Sequence, residues 1–395
     1  MTLKDKIYHY AFALLILLFP FSKALPNIVI GVLAVLLIVD YKNVNFKRLL
    51  QRPIVLLYIM LLYLFIKAAI NQSLFTEFSI YKKLIILFIM PVLFLKVKDV
   101  IFFKTSVLIS VLATVIVSFF MALSYYIQFG SLPFTTGETV NTLMVLERPY
   151  AGYYAFAGAL LSFNLIKYLP KYKKVLIACI LLCTIFIVFV AARMSFLSLL
   201  LCVPLYLLFY AKISKKIIFG IIGGGALAVL LLFMFNKNIA ERFYVNKSLQ
   251  TASDYEPRVV IWDCAYHMLS NSNFNSLFGF SSNKIIEDNY LDCYSQKIDN
   301  PSKRNWFITT KFNSHNQFND YLLAHGFIGL FLLGGFMGYL IFYARKSFTY
   351  TAITVGLVLF LVVENVLHRQ MGCYIFITFA TIVGLSKITE LDGKN

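Results

Sequence analysis

The chain has 395 residues, 60% of them hydrophobic and only 14% charged, with a mean hydropathy of +0.78. A soluble domain carries about a quarter charged residues and a disordered chain has low hydrophobicity, so both are excluded and the recurring apolar runs mark a polytopic membrane protein. A net charge of +18 would suggest nucleic acid in a soluble protein. Here Lys- and Arg-rich cytoplasmic loops account for it, and no nucleic-acid partner is expected.

Lys4 and Lys6 precede an apolar run from Ile7, and no small-residue cleavage site follows before Pro26. The pattern predicts an uncleaved first span rather than a signal peptide. About twelve spans of roughly 17–25 residues are expected. Their cores fall at 8–24, 26–40, 53–70, 84–96, 105–128, 150–168, 175–192, 195–211, 217–235, 319–343, 350–366 and 372–388. The fourth is short and contains Pro91, so it is tilted, broken or begins earlier. With the N-terminus inside, the inner loops hold Lys42, Lys47, Arg48 and Arg52; Lys96, Lys98 and Lys104; Lys167, Lys171, Lys173 and Lys174; Lys212, Lys215 and Lys216; and Arg345 and Lys346. Every short inner loop is basic and the short outer turns are poor in charge, which places both termini in the cytoplasm.

Two outer segments are longer, one over about 130–148 and one over about 236–317. The second divides the chain into spans one to nine (1–235), a periplasmic loop domain (236–317) and spans ten to twelve (318–395). Within it Ser253 and Glu256 have capping-box spacing, and Val259, Trp262, Tyr266 and Leu269 recur at helical spacing as an apolar face. A turn is expected near Gly279. Cys179, Cys183, Cys202 and Cys373 lie in apolar runs and read as packing residues. Cys264 and Cys293 share the loop and can pair if it faces an oxidising compartment. No CxxC or His/Cys cluster suggests zinc, and neither metal nor cofactor is expected.

Several cations are out of place for an outer face. Arg193 lies in "AARMSFLSLL" between spans seven and eight, Arg148 in "LERPYAGYY" before span six, Arg369 in "ENVLHRQMG", and Arg258 in the first turn of the loop helix. Each has a structural alternative. Arg193 also suits an anchor that snorkels to the headgroups, as Lys67 does. Arg258 also suits a solvated helix face, although the macrodipole disfavours a cation there by a few tenths of a kcal/mol. Glu364, near the outer end of span eleven, needs a partner, and Arg193 or Arg369 would serve. His315 lies just before span ten. If that helix continues upstream, His315, Asn319 and Leu322 share a face, with the imidazole about one turn above the apolar core. An imidazole there can act as a general base. His325 would lie about 15 Å deeper and suits a helix–helix contact. His9 and His267 read as structural. Gly326, Gly329, Gly334, Gly335 and Gly338 predict close packing of span ten.

Guanidinium groups bind phosphate through bidentate, charge-assisted hydrogen bonds. With a base to activate a hydroxyl and no aspartate-rich metal motif beside them, the arginines would supply the charge stabilisation for glycosyl transfer from a polyprenyl pyrophosphate. The stretches "AARMSFLSLL", "EPRVVIWDCAYHML", "LFGFSS", "SHNQFNDYLLAHGFIGL" and "ENVLHRQMG", in that order around one large loop, resemble the bacterial O-antigen ligase and polymerase superfamily. The resemblance implies an all-α polytopic protein of the GT-C glycosyltransferase type in the bacterial inner membrane. It also implies metal-independent, inverting transfer of glycan from undecaprenyl pyrophosphate to an acceptor hydroxyl of lipid A–core or another glycan. By resemblance His315 activates the acceptor, and Arg193 and Arg258 bind the pyrophosphate. Trp262, Asn316, Asn319 and Glu364 belong to the same stretches, while Arg148 and Arg369 are further supporting candidates. One large loop after span nine leans toward a ligase over a polymerase. An exporter of polysaccharide is the alternative from another class; it would place its ionisable groups near the bilayer midplane and show repeated halves.

Overall fold

The computed structural model describes residues 2–132, 137–211, 214, 220, 223–224 and 256–392. Among them every regular element is helical. The α-helices of ten or more residues are α1 (Leu3–Leu18), α2 (Leu25–Val39), α3 (Arg52–Ile70), α4 (Phe78–Phe94), α5 (Val100–Phe129), α6 (Arg148–Tyr168), α7 (Lys173–Phe189), α8 (Arg193–Phe209), α9 (Pro257–Met268), α10 (Asn283–Lys297), α11 (Pro301–Thr310), α12 (Gln317–Ala344), α13 (Phe348–Val363) and α14 (Gln370–Asp392). Among the described residues four stretches are long and apolar enough to cross a membrane: Arg52–Ile70, Val100–Phe129, Pro170–Phe189 and Gln317–Ala344. Leu25–Val39, Arg193–Phe209, Phe348–Val363 and Gln370–Leu385 are shorter apolar helices. The chain is a helical multi-pass membrane protein. The fourth expected span does begin earlier than its core, at Phe78, and carries Pro91 inside the helix. The ninth, 217–235, lies outside the described residues.

The chain divides into two compact units, one of Met1–Ser198 with Leu332–Asn395 and one of Leu199–Phe331. The first is a helical bundle organised on α6. From Tyr150 to Ser162 every residue of α6 is buried, as expected of a helix that is apolar on all sides. Small residues let its neighbours close in. A Cβ on Gly158 would lie 2.5 Å from Val111 of α5, and one on Gly356 of α13 would lie 2.3 Å from the Phe156 ring. Tyr153 stacks on Phe360 at 5.1 Å and its hydroxyl donates to the Ile353 carbonyl at 3.2 Å. Such side chain–backbone bonds are the polar glue of a membrane bundle, and others join α1 to α4 (Tyr8 to Leu93 O, 2.6 Å) and α5 to α1 (Ser110 to Ile16 O, 2.8 Å).

Helix termini are locally explained. Thr2 and Asp5 form a reciprocal capping box on α1, and Asp99 caps α5 through the Phe102 amide at 2.8 Å. His9 has the structural role expected of it. Its Nδ1 lies 2.7 Å from the Asp5 carbonyl, and its Nε2 accepts from the Lys98 and Asp99 amides at 3.0 and 3.1 Å, ahead of α5. Lys96 pairs with Asp40 at 2.7 Å and Lys98 with Asp5 at 2.8 Å. Cys179, Cys183 and Cys373 are buried free thiols.

The second unit has its own hydrophobic core, built from Ile261, Cys264, Ala265 and Met268 of α9, Ile286, Tyr290 and Tyr294 of α10, Phe307 of α11 and Leu323 and Ala324 of α12, with Phe280 and Ile298 between helices. A core of this size is marginal without a covalent staple. A disulfide between Cys264 and Cys293 supplies one, joining α9 to α10. The buried stripe of α9 is therefore Ile261–Cys264–Ala265–Met268, not the expected Val259–Trp262–Tyr266–Leu269. Val259 and Tyr266 are exposed, because the face that carries the disulfide is the one that must point inward. The expected capping box is displaced as well. Glu256 is itself the N-cap, in extended conformation, and Pro257 is the first helical residue. A residue before proline is driven out of the α region, so the helix cannot begin earlier. Ser253 lies outside the described residues.

Candidate active site

His315 stands in a short segment between α11 and α12 in which nearly every residue is tied down. The Tyr294 hydroxyl donates to the Phe312 carbonyl at 3.2 Å. The Trp262 indole Nε1–H donates to the Ser314 carbonyl at 3.0 Å, and the Ser314 hydroxyl donates to the Asn316 carbonyl at 2.9 Å. The His315 amide donates to Asn313 Oδ1 at 3.2 Å. Behind the segment, Phe307, Trp306 and Phe312 pack edge to face at 4.9–5.3 Å, and the His315 ring lies 5.7 Å from Phe312.

The helical continuation expected upstream of span ten does not occur. Asn316 is the N-cap of α12: its Oδ1 accepts from the Phe318 and Asn319 amides at 2.9 and 3.1 Å. His315 precedes the cap with φ of +42°, a left-handed conformation that costs a non-glycine residue roughly 1–2 kcal/mol. It therefore shares no helical face with Asn319 or Leu322. The surrounding hydrogen bonds hold the strained backbone, the pattern that accompanies functional positions. In the first turn of α12 the Gln317 side chain donates to the buried Asp320 carboxylate at 3.1 Å.

Helix α12 breaks at Gly326 (φ +64°, ψ −165°). The turn Ser276–Phe280, which contains the expected Gly279, enters the break. The Phe327 and Ile328 amides donate to the Ser276 and Leu277 carbonyls at 2.8 and 3.3 Å, and the Phe280 amide donates to the Leu323 carbonyl at 2.8 Å. Two glycines make this possible. A Cβ on Gly326 would sit 2.3 Å from the Leu277 backbone, and one on Gly279, at φ of +73°, would sit 2.4 Å from the Leu323 carbonyl oxygen. The stretches "LFGFSS" and "LLAHGF" are thus two halves of one device. His325 lies at the break with its ring 5.3 Å from Tyr321, rather than deep in a continuous span. Gly334, Gly335 and Gly338 have nothing within 4 Å of a built Cβ, so the close packing expected of them is absent among the described residues.

Arg258 occupies the first turn of α9, one turn before Trp262, and pairs with Glu256 at 3.0 Å with 30% of its side chain exposed. Because Trp262 bonds the residue next to His315, the helix that carries Arg258 also fixes the histidine segment. Arg193, in the first unit, is the first residue of α8. The preceding turn closes through Ala191 at φ of +51°, and Gly152 of α6 admits Ala192 and Ser195, which a Cβ there would meet at 2.4 and 2.8 Å. Also in the first unit, Arg148 opens α6, its amide donating to Asn141 Oδ1 at 3.0 Å. Glu147 forms an ion pair with Arg369. Glu364 is buried just beyond the end of α13. Sequence reasoning missed Asn313, Ser314 and Tyr294, which hold the segment through backbone contacts that no periodicity encodes. The N-cap role of Asn316 was readable, since Asn before an apolar-periodic run is a helix-start signal.

No curated protein matches the chain. Residues 177–334 match a family model described as O-Antigen ligase, a segment that contains Arg193, Arg258, Trp262 and His315 but not Arg148, Glu364 or Arg369. Over residues 177–334, about two-fifths of its length, the chain is therefore similar to the O-antigen ligase family.

Proposed function

We propose that the protein transfers glycan from undecaprenyl pyrophosphate to a hydroxyl of lipid A–core on the periplasmic face of a bacterial inner membrane, with inversion and within a GT-C-type fold. His315 takes the proton of the acceptor hydroxyl as its oxygen bonds to the anomeric carbon. The glycosyl–phosphate bond breaks, and the carrier pyrophosphate leaves with the electron pair. Arg193 and Arg258 neutralise the charge that develops on it, the role that preorganised cations fill in such transfers. Glu256 holds the Arg258 guanidinium until a phosphate with stronger bidentate acceptors replaces it.

The observation that carries this reading is the Trp262–Ser314 hydrogen bond. Inside the family-matched segment it ties the Arg258 helix to the strained His315 backbone, as a preorganised pair of base and anion ligand requires. A periplasmic position for the loop unit is supported by its disulfide, since such bonds persist in oxidising compartments, and by the basic inner loops.

The test is deletion of the gene followed by complementation with the wild type or His315→Ala. Loss of all polymer-capped lipopolysaccharide with full-length carrier-linked polymer retained identifies a ligase. Single repeat units on lipopolysaccharide identify a polymerase instead. His315→Ala, present in the membrane at wild-type level, lowers transfer on the order of 10²–10⁴-fold, the usual share of a general base; unchanged transfer removes His315 from the chemistry.

A further inference from the structure

We infer that the turn Ser276–Phe280 is immersed in the bilayer, with Leu277 and Phe278 among phospholipid acyl chains, so that the loop unit is anchored in the membrane as well as tethered to it. Three observations lead there. The first is depth. The carbonyls of Ser276 and Leu277 accept from Phe327 and Ile328, the first residues of the apolar helix after the Gly326 break. From Phe327 to Ala344 that helix spans about 27 Å, close to the roughly 30 Å of a hydrocarbon core. Its first turn therefore stands at the hydrocarbon boundary, and the bonded turn stands beside it.

The second is side-chain exposure. Leu277 is 55% and Phe278 48% exposed, on a turn whose neighbouring residues Gly279 and Phe280 are buried. Phe327 and Phe331, one helical turn apart with rings 6.4 Å from each other, are exposed as well and continue the apolar surface down the helix. Exposed polar residues Ser272, Asn273 and Asn275 precede the turn, giving the collar that a headgroup layer would solvate.

The third is the backbone. Irregular chain in contact with lipid must satisfy its polar groups internally, and this turn pairs its four amides from Leu277 to Phe280 and the Ser276 and Leu277 carbonyls within the protein. The Leu277 and Phe278 amides both donate to Asn275 Oδ1 at 3.0 Å, the Gly279 amide to the Asn275 carbonyl at 2.6 Å and the Phe280 amide to the Leu323 carbonyl at 2.8 Å. A turn in water has no need to pair every one of these amides, because water serves the same groups. Apolar tips on a turn whose amides are paired, hydrogen-bonded to the end of a membrane helix, fit an acyl environment.

The test places the photoreactive amino acid p-benzoylphenylalanine at position 278 of the full-length protein in native membranes, with the same probe at exposed Asp292 of α10 as control. After illumination, mass spectrometry of the purified protein should show a phospholipid-mass adduct at 278 and none at 292. If the 278 variant fails to accumulate, Leu277 is the second position. The proposal is overturned if neither tip position captures lipid while the probe photoreacts elsewhere, if 292 captures phospholipid equally, or if the adduct is a polyprenyl phosphate instead of a phospholipid. The last outcome would assign the surface to a lipid-linked donor.

Discussion

Replacing Gly326 by alanine should damage the protein far more than replacing Gly335, although both lie in α12. At Gly326 the backbone occupies a region (φ +64°, ψ −165°) essentially reserved for glycine, where strain runs on the order of 1–3 kcal/mol. The new methyl would also lie 2.3 Å from the Leu277 carbonyl group, so the turn must retreat. That retreat strains the bonds from Phe327 to Ser276 and from Ile328 to Leu277, each contributing about 0.5–1.5 kcal/mol. Together the two effects amount to roughly 2–6 kcal/mol. Gly335 has open space around it and sits in a helix, where alanine is favoured over glycine by about 0.5–1 kcal/mol. The measurement is thermal unfolding of both purified variants in one detergent, followed by intrinsic fluorescence, with limited proteolysis locating the loosened segment. Gly326→Ala should melt well below the wild type and become cleavable within 270–282; Gly335→Ala should melt at or slightly above it. Equal melting temperatures for the two variants would refute the threaded-break account.

Three further outcomes follow from the geometry. Trp262→Phe keeps a ring but deletes the donor to Ser314, and should lower turnover about tenfold, equivalent to about 1.4 kcal/mol, with the KM for donor within a few-fold; a raised KM at unchanged turnover would make Trp262 a binding residue instead. Arg258→Lys should impair transfer with protein levels intact, because an ammonium cannot reproduce the guanidinium fork, and a lysine variant as active as wild type would rule out bidentate phosphate binding. Reduction of Cys264–Cys293, or Cys264→Ser with Cys293→Ser, should destabilise the loop unit by about 3–4 kcal/mol for a loop of this length. Mass spectrometry of protein alkylated in cells before reduction checks the bond, and recovery of both cysteines as alkylated thiols would count against a periplasmic loop unit.

Helix positions and the membrane class were legible because an apolar run of sufficient length has few alternatives. The errors share a physical origin: they occur where the chain departs from a single helical period. At Pro257 a local rule, the conformational restriction before proline, overrides the apparent Ser253–Glu256 box. On α9 two apolar stripes compete, and the pairing of Cys264 with Cys293 selects the one that Val259 and Tyr266 do not belong to. At His315 an extended helical pattern concealed an N-cap at Asn316. The glycines of span ten look alike in sequence, yet Gly326 carries a break while Gly335 faces open space. The difference lies in the distant turn at Gly279, which hydrophobic patterning does not register.

The break at Gly326 also changes the height at which the proposed chemistry can occur. A continuous span would place His315 one turn above the apolar core, level with lipid phosphates. The broken helix leaves Gln317–His325 as a stub above the hydrocarbon boundary, raising its N-terminus by at most about 13 Å, whereas the headgroup layer is only roughly 5–8 Å thick on each side. The anomeric carbon is joined to the phosphate through a single oxygen, so a base that activates the acceptor must act close to the phosphates, and His315 meets that demand in the proposed reaction when the stub leans toward the membrane surface. The arginine ligands of the proposed reaction act at that same bond, and the Trp262–Ser314 hydrogen bond, which ties the Arg258 helix to the histidine segment, suits that. Fixed at its base by the threaded turn and held just before its cap by Trp262 and Asn313, the stub is a rigid mount of the kind that the proposed transfer requires of its base.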